Sequence, residues 1–409
     1  MIWWVLLLLS FFLTRLYHLT VMPPFMDELI YIRWLNEIRF HGDWLIPLKE
    51  FGWEPLQIWL AALVNRLLPD PLLSLRLTSV IIGSLCLFLI NKLAGKTAVL
   101  LYLLSPLILL HERLGLRGDN LVVLAALMVF YGLRQRLSFW WGLGIAIGLF
   151  SKTTAAALPL VVLVSYLWIR PKLKRPDFAA AALAVLPIGF YYFTGTLGAV
   201  VGKQSTFVGE ALVKNNLLQI GPWLYQYLTW PVVLLVVVGI LVSLKNRLLL
   251  INTLTPLILL VVSAKILFPR YLLPIMPFIL IYAAAGFNWL KQTLPRALRP
   301  LLIVFLLAPA WFSRQILTDL PAAPLPEIDR WQYVTGWPSG YGVKELTDYL
   351  RINQLELQLS GSPEAILTDT ASGSAYAVTN INHDGVNGEL IKDFPRPENK
   401  SSLKLWRLN

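Results

Sequence analysis

Long apolar runs broken by short polar stretches organise most of the chain. They fall near 2–19, 72–91, 97–111, 119–133, 139–151, 155–169, 178–194, 223–244, 248–264, 271–290 and 300–313. A helix needs about 20 apolar residues to cross a bilayer core, and fewer when it is tucked inside protein. The pattern therefore predicts eleven transmembrane helices. The division between 139–151 and 155–169 rests on Ser151-Lys152-Thr153 alone. The first run has no basic leader and no small-residue cleavage site, so it reads as a retained span. Three longer polar pieces remain: 20–71, rich in acids and Trp; 195–222; and 314–409. In the last, a Pro-rich linker (Leu320–Pro326) precedes a helix near 341–353 and strand-like runs near 365–369, 375–379 and 403–407. The expected architecture is a polytopic α-helical membrane domain over 1–313 and a small α/β domain over 314–409. No internal repeat is visible.

Composition narrows the class. The 409 residues are 57% hydrophobic and 14% charged, and mean hydropathy is +0.64. A soluble domain carries roughly 25% charged residues, so a soluble enzyme and a disordered chain are excluded. The net charge of +12 would suit a nucleic acid only if it gathered on one polar face. Instead, Lys92, Lys96, Arg134, Arg136, Arg170, Lys172, Lys174, Arg175, Lys245, Arg247, Lys291, Arg296 and Arg299 fall in alternate short loops with one acid, Asp177. The positive-inside rule makes those loops cytoplasmic. The N-terminus is then inside, and 20–71, 195–222 and 314–409 lie outside. Because the other charges balance, the basicity is a topology signal and no nucleic-acid partner is expected. The lone Cys86 allows no internal disulfide, and the four His match no metal-ligand spacing.

The candidate chemistry gathers on the outer side. Asp27 and Glu28 open an expected interfacial helix in M-P-P-F-M-D-E-L-I-Y-I-R-W. At headgroup depth a carboxylate is costly without a partner or a task. It could be a general base on an acceptor hydroxyl, or a helix N-terminal acid favoured by the dipole. Glu50 and Glu54 precede a second interfacial helix, and Trp53 and Pro55 flank Glu54. The short loop H-E-R-L-G-L-R-G-D-N holds Glu112, Arg113, Arg117 and Asp119, which could serve a site or pair among themselves. Lys152 ends G-L-G-I-A-I-G-L-F-S-K-T, which lacks P-loop spacing; it is either a snorkelling anchor or a phosphate ligand. Lys265, Arg270 and Tyr271 sit at the mouth of a span interrupted by Pro274 and Pro277. Carboxylates beside Lys and Arg suit a lipid-linked phosphate or pyrophosphate donor, the cations stabilising the leaving phosphate.

Four stretches in this order, P-F-M-D-E-L-I-Y, E-P-L-Q-I-W-L, G-L-F-S-K-T and R-Y-L-L-P-I-M-P, resemble the bacterial glycosyltransferase 39 group of the GT-C superfamily. That group is related to protein O-mannosyltransferases and to the lipid A aminoarabinose transferase. A fifth stretch, W-P-S-G-Y-G-V-K-E-L-T-D-Y-L-R from Trp337 to Arg351, is similar to the start of the outer domain in many members. The resemblance implies a GT-C fold and an inverting transfer of a sugar from a polyprenyl-phosphate carrier to an acceptor outside. That acceptor would be a lipid, a glycan or a protein. It also implies Asp27 as base with Glu28 in support, Lys152 and Arg270 with Tyr271 on the donor phosphate, and polyprenyl tails in a groove between spans. Arg113 or Arg117 stands in reserve, and Glu54 and Asp119 would support the site or the acceptor. Two departures matter. The family commonly has His or Glu before Pro-Pro-Leu, whereas this chain reads Trp53-Glu54-Pro55-Leu56, so Glu54 either replaces that residue or has moved by a few positions. Where the family has one Arg followed by an acid, Arg113 and Arg117 both precede Asp119. Some members of the superfamily use a divalent metal, but no ligand set is evident here, so none is expected. The rival readings are a polyprenyl-pyrophosphate glycan ligase or polymerase, and a transporter or lipid flippase. A transporter should carry charge at mid-span and often two similar halves; here mid-span positions are nearly all apolar.

Overall fold

The computed structural model describes residues 2–170, 172–202, 209–355, 371–372, 376–380 and 387–408. The chain opens with the apolar helix α1 (Ile2–Leu16), then α2 (Met26–His41), α3 (Ile46–Phe51) and α4 (Leu56–Leu67). Pro23-Pro24 offers no amide to prolong a helix, so the chain is extended at Phe25 before α2 begins. Next, α5 (Pro71–Leu103) starts on an Asp70 cap that accepts from the Leu73 amide, with Pro71 in its first turn. It bends at Gly95 (φ 74), within the short loop expected at 92–96. Ser105-Pro106 interrupts the helical run, and α6 (Pro106–Glu112) follows, so the span expected at 97–111 is two pieces.

Then come α7 (Asp119–Gln135), α8 (Ser138–Ser151), α9 (Ala157–Ile169), α10 (Arg175–Phe193), α11 (Leu197–Gly202), α12 (Glu210–Val242), α13 (Arg247–Ser263), α14 (Met276–Thr293) and α15 (Val304–Thr318). Among the described residues, four helical stretches are long and apolar enough to cross a membrane: Pro71–Leu103, Arg175–Phe193, Glu210–Val242 and Arg296–Thr318. Five shorter apolar helices stand beside them. Leu13, Leu163, Phe193 and Leu241 are exposed on these helices, as lipid-facing positions are. The stretch expected as a polar loop at 195–222 is instead largely helical. Asn216 explains part of this, since its side chain is buried and donates to the Val261 and Ala264 carbonyls.

The basic loops meet at one end of the bundle. There Arg134 donates to the Leu93 carbonyl at 2.6 Å, Ser138 to Asp177, and Thr97 to Asn288 at 2.9 Å. The other end carries α2–α4. Beyond α15, α16 (Glu327–Arg330) and the turn Trp331–Thr335 return to the helical body, where Tyr333 and Val334 join its core. α15 itself runs past residue 313 to Thr318. The C-terminal piece contains α17 (Val343–Ile352) and an antiparallel sheet of β1 (Ala371–Ser372), β2 (Tyr376–Thr379), β3 (Gly388–Pro395) and β4 (Ser402–Leu408), ordered β1-β2-β4-β3. Leu346, Val378, Phe394, Leu403 and Leu405 form its small core. The strand-like run at 365–369 lies outside the described residues. β3 escaped the pattern because most of its side chains are not buried and a bulge at Leu390/Lys392 breaks its alternation.

Candidate active site

Asp27 lies in the first turn of α2, at the end of the bundle remote from the basic loops. Arg270 comes from a separate element, a 3₁₀ turn over Pro269–Leu272. Prolines explain why the span expected at 271–290 begins late. Pro274 and Pro277 withhold amides, so α14 starts at Met276 and leaves Arg270 and Tyr271 on the turn. Arg270 Nη2 donates to Asp27 Oδ2 at 3.1 Å, with the Arg270 side chain 9% exposed and Asp27 24%. Arg270 Nε and Nη1 are buried with no partner among the described residues. Burial disfavours this guanidinium's charge, but the Asp27 carboxylate and then Tyr333, Tyr271 and Asp119 favour it, and its pKa lies well above the usual arginine value.

Tyr271 links this pair to a second one. The Arg270 guanidinium carbon lies 5.9 Å from the Tyr271 ring centre and Lys152 Nζ lies 4.6 Å from it, both cation–π distances. Lys152 occupies the extended break between α8 and a 3₁₀ turn at Thr153–Ala156. Its Nζ donates to Asp119 Oδ1 at 2.5 Å. Asp119 sits in the first turn of α7, where a carboxylate is favoured by the dipole. Gly118, at φ 70, makes this close approach possible, because a Cβ there would run into the Ser151 backbone.

The third pair is Arg117 and Glu54. Arg117 Nη1 lies 3.2 Å from Glu54 Oε2, off the hydrogen-bond axis, and the guanidinium stacks 4.3 Å over Trp53. Tyr31, one turn beyond Asp27, stands among all these groups. Burial pushes its phenol far above its ordinary pKa, as does the Asp27 charge, while Arg117 and Arg270 pull it down and Asp119 adds a smaller upward push. The sequence reading did not single out Tyr31. The i,i+4 spacing from Asp27 was the available signal. The structure thus brings together Asp27, Arg270, Tyr271, Lys152, Asp119, Arg117 and Glu54.

Glu28 and Arg113 lie elsewhere. Glu28 is fully buried, accepts from Arg76 Nε at 2.8 Å and Nη2 at 2.6 Å, and accepts from the Gly115 and Phe25 amides. Arg76 also donates to the Leu19 and Met22 carbonyls at 2.8 Å each. Glu28 is therefore a brace between α2, α5 and the 113–118 loop, and the support expected of it is positional. Arg113 donates to the Tyr17 and His18 carbonyls, which leaves Arg117 as the arginine of that loop facing the site. Behind Arg270, Tyr227 donates to Asp329, a fully buried residue absent from the sequence-based set. Burial pushes the Asp329 carboxyl up to about 7 against the downward pull of Tyr227 and Arg270.

Beside Tyr271 a cavity of about 230 Å³ runs between α9 and α13. Thr153, Thr154 and Ser263 are its polar positions, and Leu158, Leu259, Leu260 and Ile275 its apolar body. Among the described residues, no three His, Cys, Asp or Glu side chains gather as a metal-binding group.

No protein-family model matches the chain, and no characterised protein matches it by sequence. Solved structures that share its fold include two of ArnT. The crystal structure of ArnT from Cupriavidus metallidurans in the apo state matches with a TM-score of 0.52 and 16% identity over 78% of this chain and 73% of that one. ArnT from the same organism bound to undecaprenyl phosphate matches with a TM-score of 0.55 and 17% identity over 78% and 74%. The chain thus shares the fold of these ArnT structures.

Proposed function

We propose that this protein is a membrane glycosyltransferase that moves a sugar from a polyprenyl-phosphate carrier to an acceptor on the extracytoplasmic face, with inversion at the anomeric carbon. The observation that carries the reading is the Asp27–Arg270 contact beside Lys152 and Tyr271. It sets a carboxylate against one cation, with a second cation across the Tyr271 ring that lines an apolar groove. Such a transfer needs a base for the acceptor hydroxyl and positive charge for the departing phosphate. It has little need of an acid, because a phosphate leaves as an anion. Asp27 takes the base role. Arg270, whose two unfilled nitrogens are free for phosphate oxygens, and Lys152 hold the leaving group. Donor phosphate competes with Asp27 for Arg270, so donor binding would free the base as it fills the anion site. Asp119 orients Lys152, and the Glu54–Arg117 pair borders the acceptor side. The groove beyond Tyr271 receives the first isoprene units. The ArnT structure with undecaprenyl phosphate supports a carrier of that class.

The test is turnover of radiolabelled polyprenyl-phosphate sugars by the protein in nanodiscs. Release of polyprenyl phosphate by the wild type, lost in Asp27→Asn, supports the reading. No release with any donor overturns it.

A further inference from the structure

Three arginines crowd the region where α1, α5 and α6 meet, and among the described residues two carboxylates pair with them. Arg15 pairs with Glu112 at 2.9 Å and Arg76 with Glu28 at 2.6 Å. Arg113 has no carboxylate within ion-pair distance among the described residues. Its Nη2 donates to two main-chain carbonyls, its Nε is buried without a partner, and the residue is 9% exposed. Burial and the neighbouring Arg76 and Arg15 charges lower its pKa to about 10. A buried cation without a counter-charge is among the costlier arrangements a protein can hold.

Arg113 borders a cavity of about 180 Å³ that His18, Asp319 and Tyr341 also line. Asp319 makes no ion pair with Arg113 among the described residues, and its Oδ1 accepts from the Ala322 amide at 3.3 Å. His18 takes a left-handed backbone (φ 47), a strained conformation for a side chain of its size. Leu317 and Thr318, which line the cavity, also line a neighbouring apolar groove of about 350 Å³ with Leu13, Leu103 and Ala310. Leu13 is 71% exposed on the rim of that groove, so it opens where lipid must lie. Leu19 and Met22 of the cavity lining give their carbonyls to Arg76, whose own carboxylate partner is Glu28. None of the cavity's lining residues lines the groove beside Tyr271.

We propose that Arg113 and the groove between α1 and α15 form a second anion site, which binds the phosphate of an anionic phospholipid and lays its acyl chains along the groove. The missing counter-charge calls for an anion, arginine matches a phosphate, and the apolar channel calls for chains on that anion. A bilayer phospholipid meets both demands where the groove opens. This lipid is not a reactant. It ties α1, α15 and the Tyr341 turn together.

The experiment is native mass spectrometry and thermal denaturation of the delipidated full-length protein. Dipalmitoyl phosphatidylglycerol, phosphatidylcholine, undecaprenyl phosphate or inorganic phosphate is added back. One phosphatidylglycerol per chain should bind about tenfold or more tighter than phosphatidylcholine, an interval of one 1.4 kcal/mol step, and should raise the denaturation midpoint. Arg113→Gln should erase that preference and Arg113→Lys should keep part of it. Because Arg113 also holds two carbonyls, Ala310→Trp, which fills the groove and leaves the arginine, serves as a second variant and should weaken binding as well. Equal binding of the two phospholipids, or full binding to both Arg113→Gln and Ala310→Trp, overturns the site. Stabilisation by inorganic phosphate alone to the same extent overturns the lipid assignment, as does displacement of phosphatidylglycerol by equimolar undecaprenyl phosphate.

Discussion

Asp27 and Glu28 are neighbours in the chain and acids in the same first turn of α2, yet they belong to two different kinds of ion pair. Glu28 and Arg76 are both fully buried, joined by two hydrogen bonds, and the carboxylate accepts from two amides besides. Asp27 is partly exposed and has one ion pair among the described residues, to an arginine with two buried nitrogens left unfilled. The saturated pair gains its strength by having nothing left to bind. The unsaturated pair keeps capacity for something absent from the chain. Where two acids share a helix turn, the one with the poorer set of partners is the better candidate for chemistry.

That contrast can be broken in order of expected effect. Asp27→Asn should lower turnover by about 10³-fold, within the range for loss of a general base, while undecaprenyl phosphate binding measured by native mass spectrometry persists. A comparable loss in Glu28→Gln, corrected for folded protein, would erase the distinction. Arg270→Lys keeps the charge and loses the planar fork, so kcat/KM for a polyprenyl-phosphate sugar should fall by about 10²-fold. Lys152→Gln should raise KM for the same donor.

Arg76→Gln leaves Glu28 buried without its partner, a change that costs about 3–5 kcal/mol. It should be read as a lower denaturation midpoint and less folded protein, with kcat per folded molecule nearly unchanged. The smallest effect belongs to Asp329. Its carboxyl is raised in the folded protein to about 7, above the unfolded value of about 3.9. The unfolded chain therefore loses this proton first, and stability should fall as pH rises from about 4 to about 7. Asp329→Asn should flatten that slope and raise the midpoint at pH 8 by a few degrees; a slope unchanged by the substitution would contradict the assignment.

Much of this fold was legible because apolar runs and prolines act locally. The helices after Pro24 and Pro55, the bend near Gly95 and the break at Ser151–Thr153 all follow from residues that set backbone geometry by themselves. The helical start of α12 was hidden because Asn216 looks solvent-bound until its partners on α13 are known. Within the site, residue types were visible but partners were not. Nothing in the spacing of Glu28 and Arg76, 48 residues apart, says that they meet. Arg113 and Arg117 are one turn apart and chemically equal in sequence, and only the packing of Gly118 on Ser151 and of Arg117 on Trp53 sends them to different places. Asp329 had no local signal. It is defined by burial against Tyr227 from another element.

The central claim is that Asp27, not Glu28, is the base in a transfer from a polyprenyl-phosphate sugar. The most direct measurement is polyprenyl phosphate release per folded molecule by wild type, Asp27→Asn and Glu28→Gln in nanodiscs, with undecaprenyl phosphate binding measured alongside. The account predicts that Asp27→Asn binds the carrier and releases about a thousandth of the product, while folded Glu28→Gln turns over within a few-fold of wild type. Turnover by Asp27→Asn at the wild-type rate would contradict it.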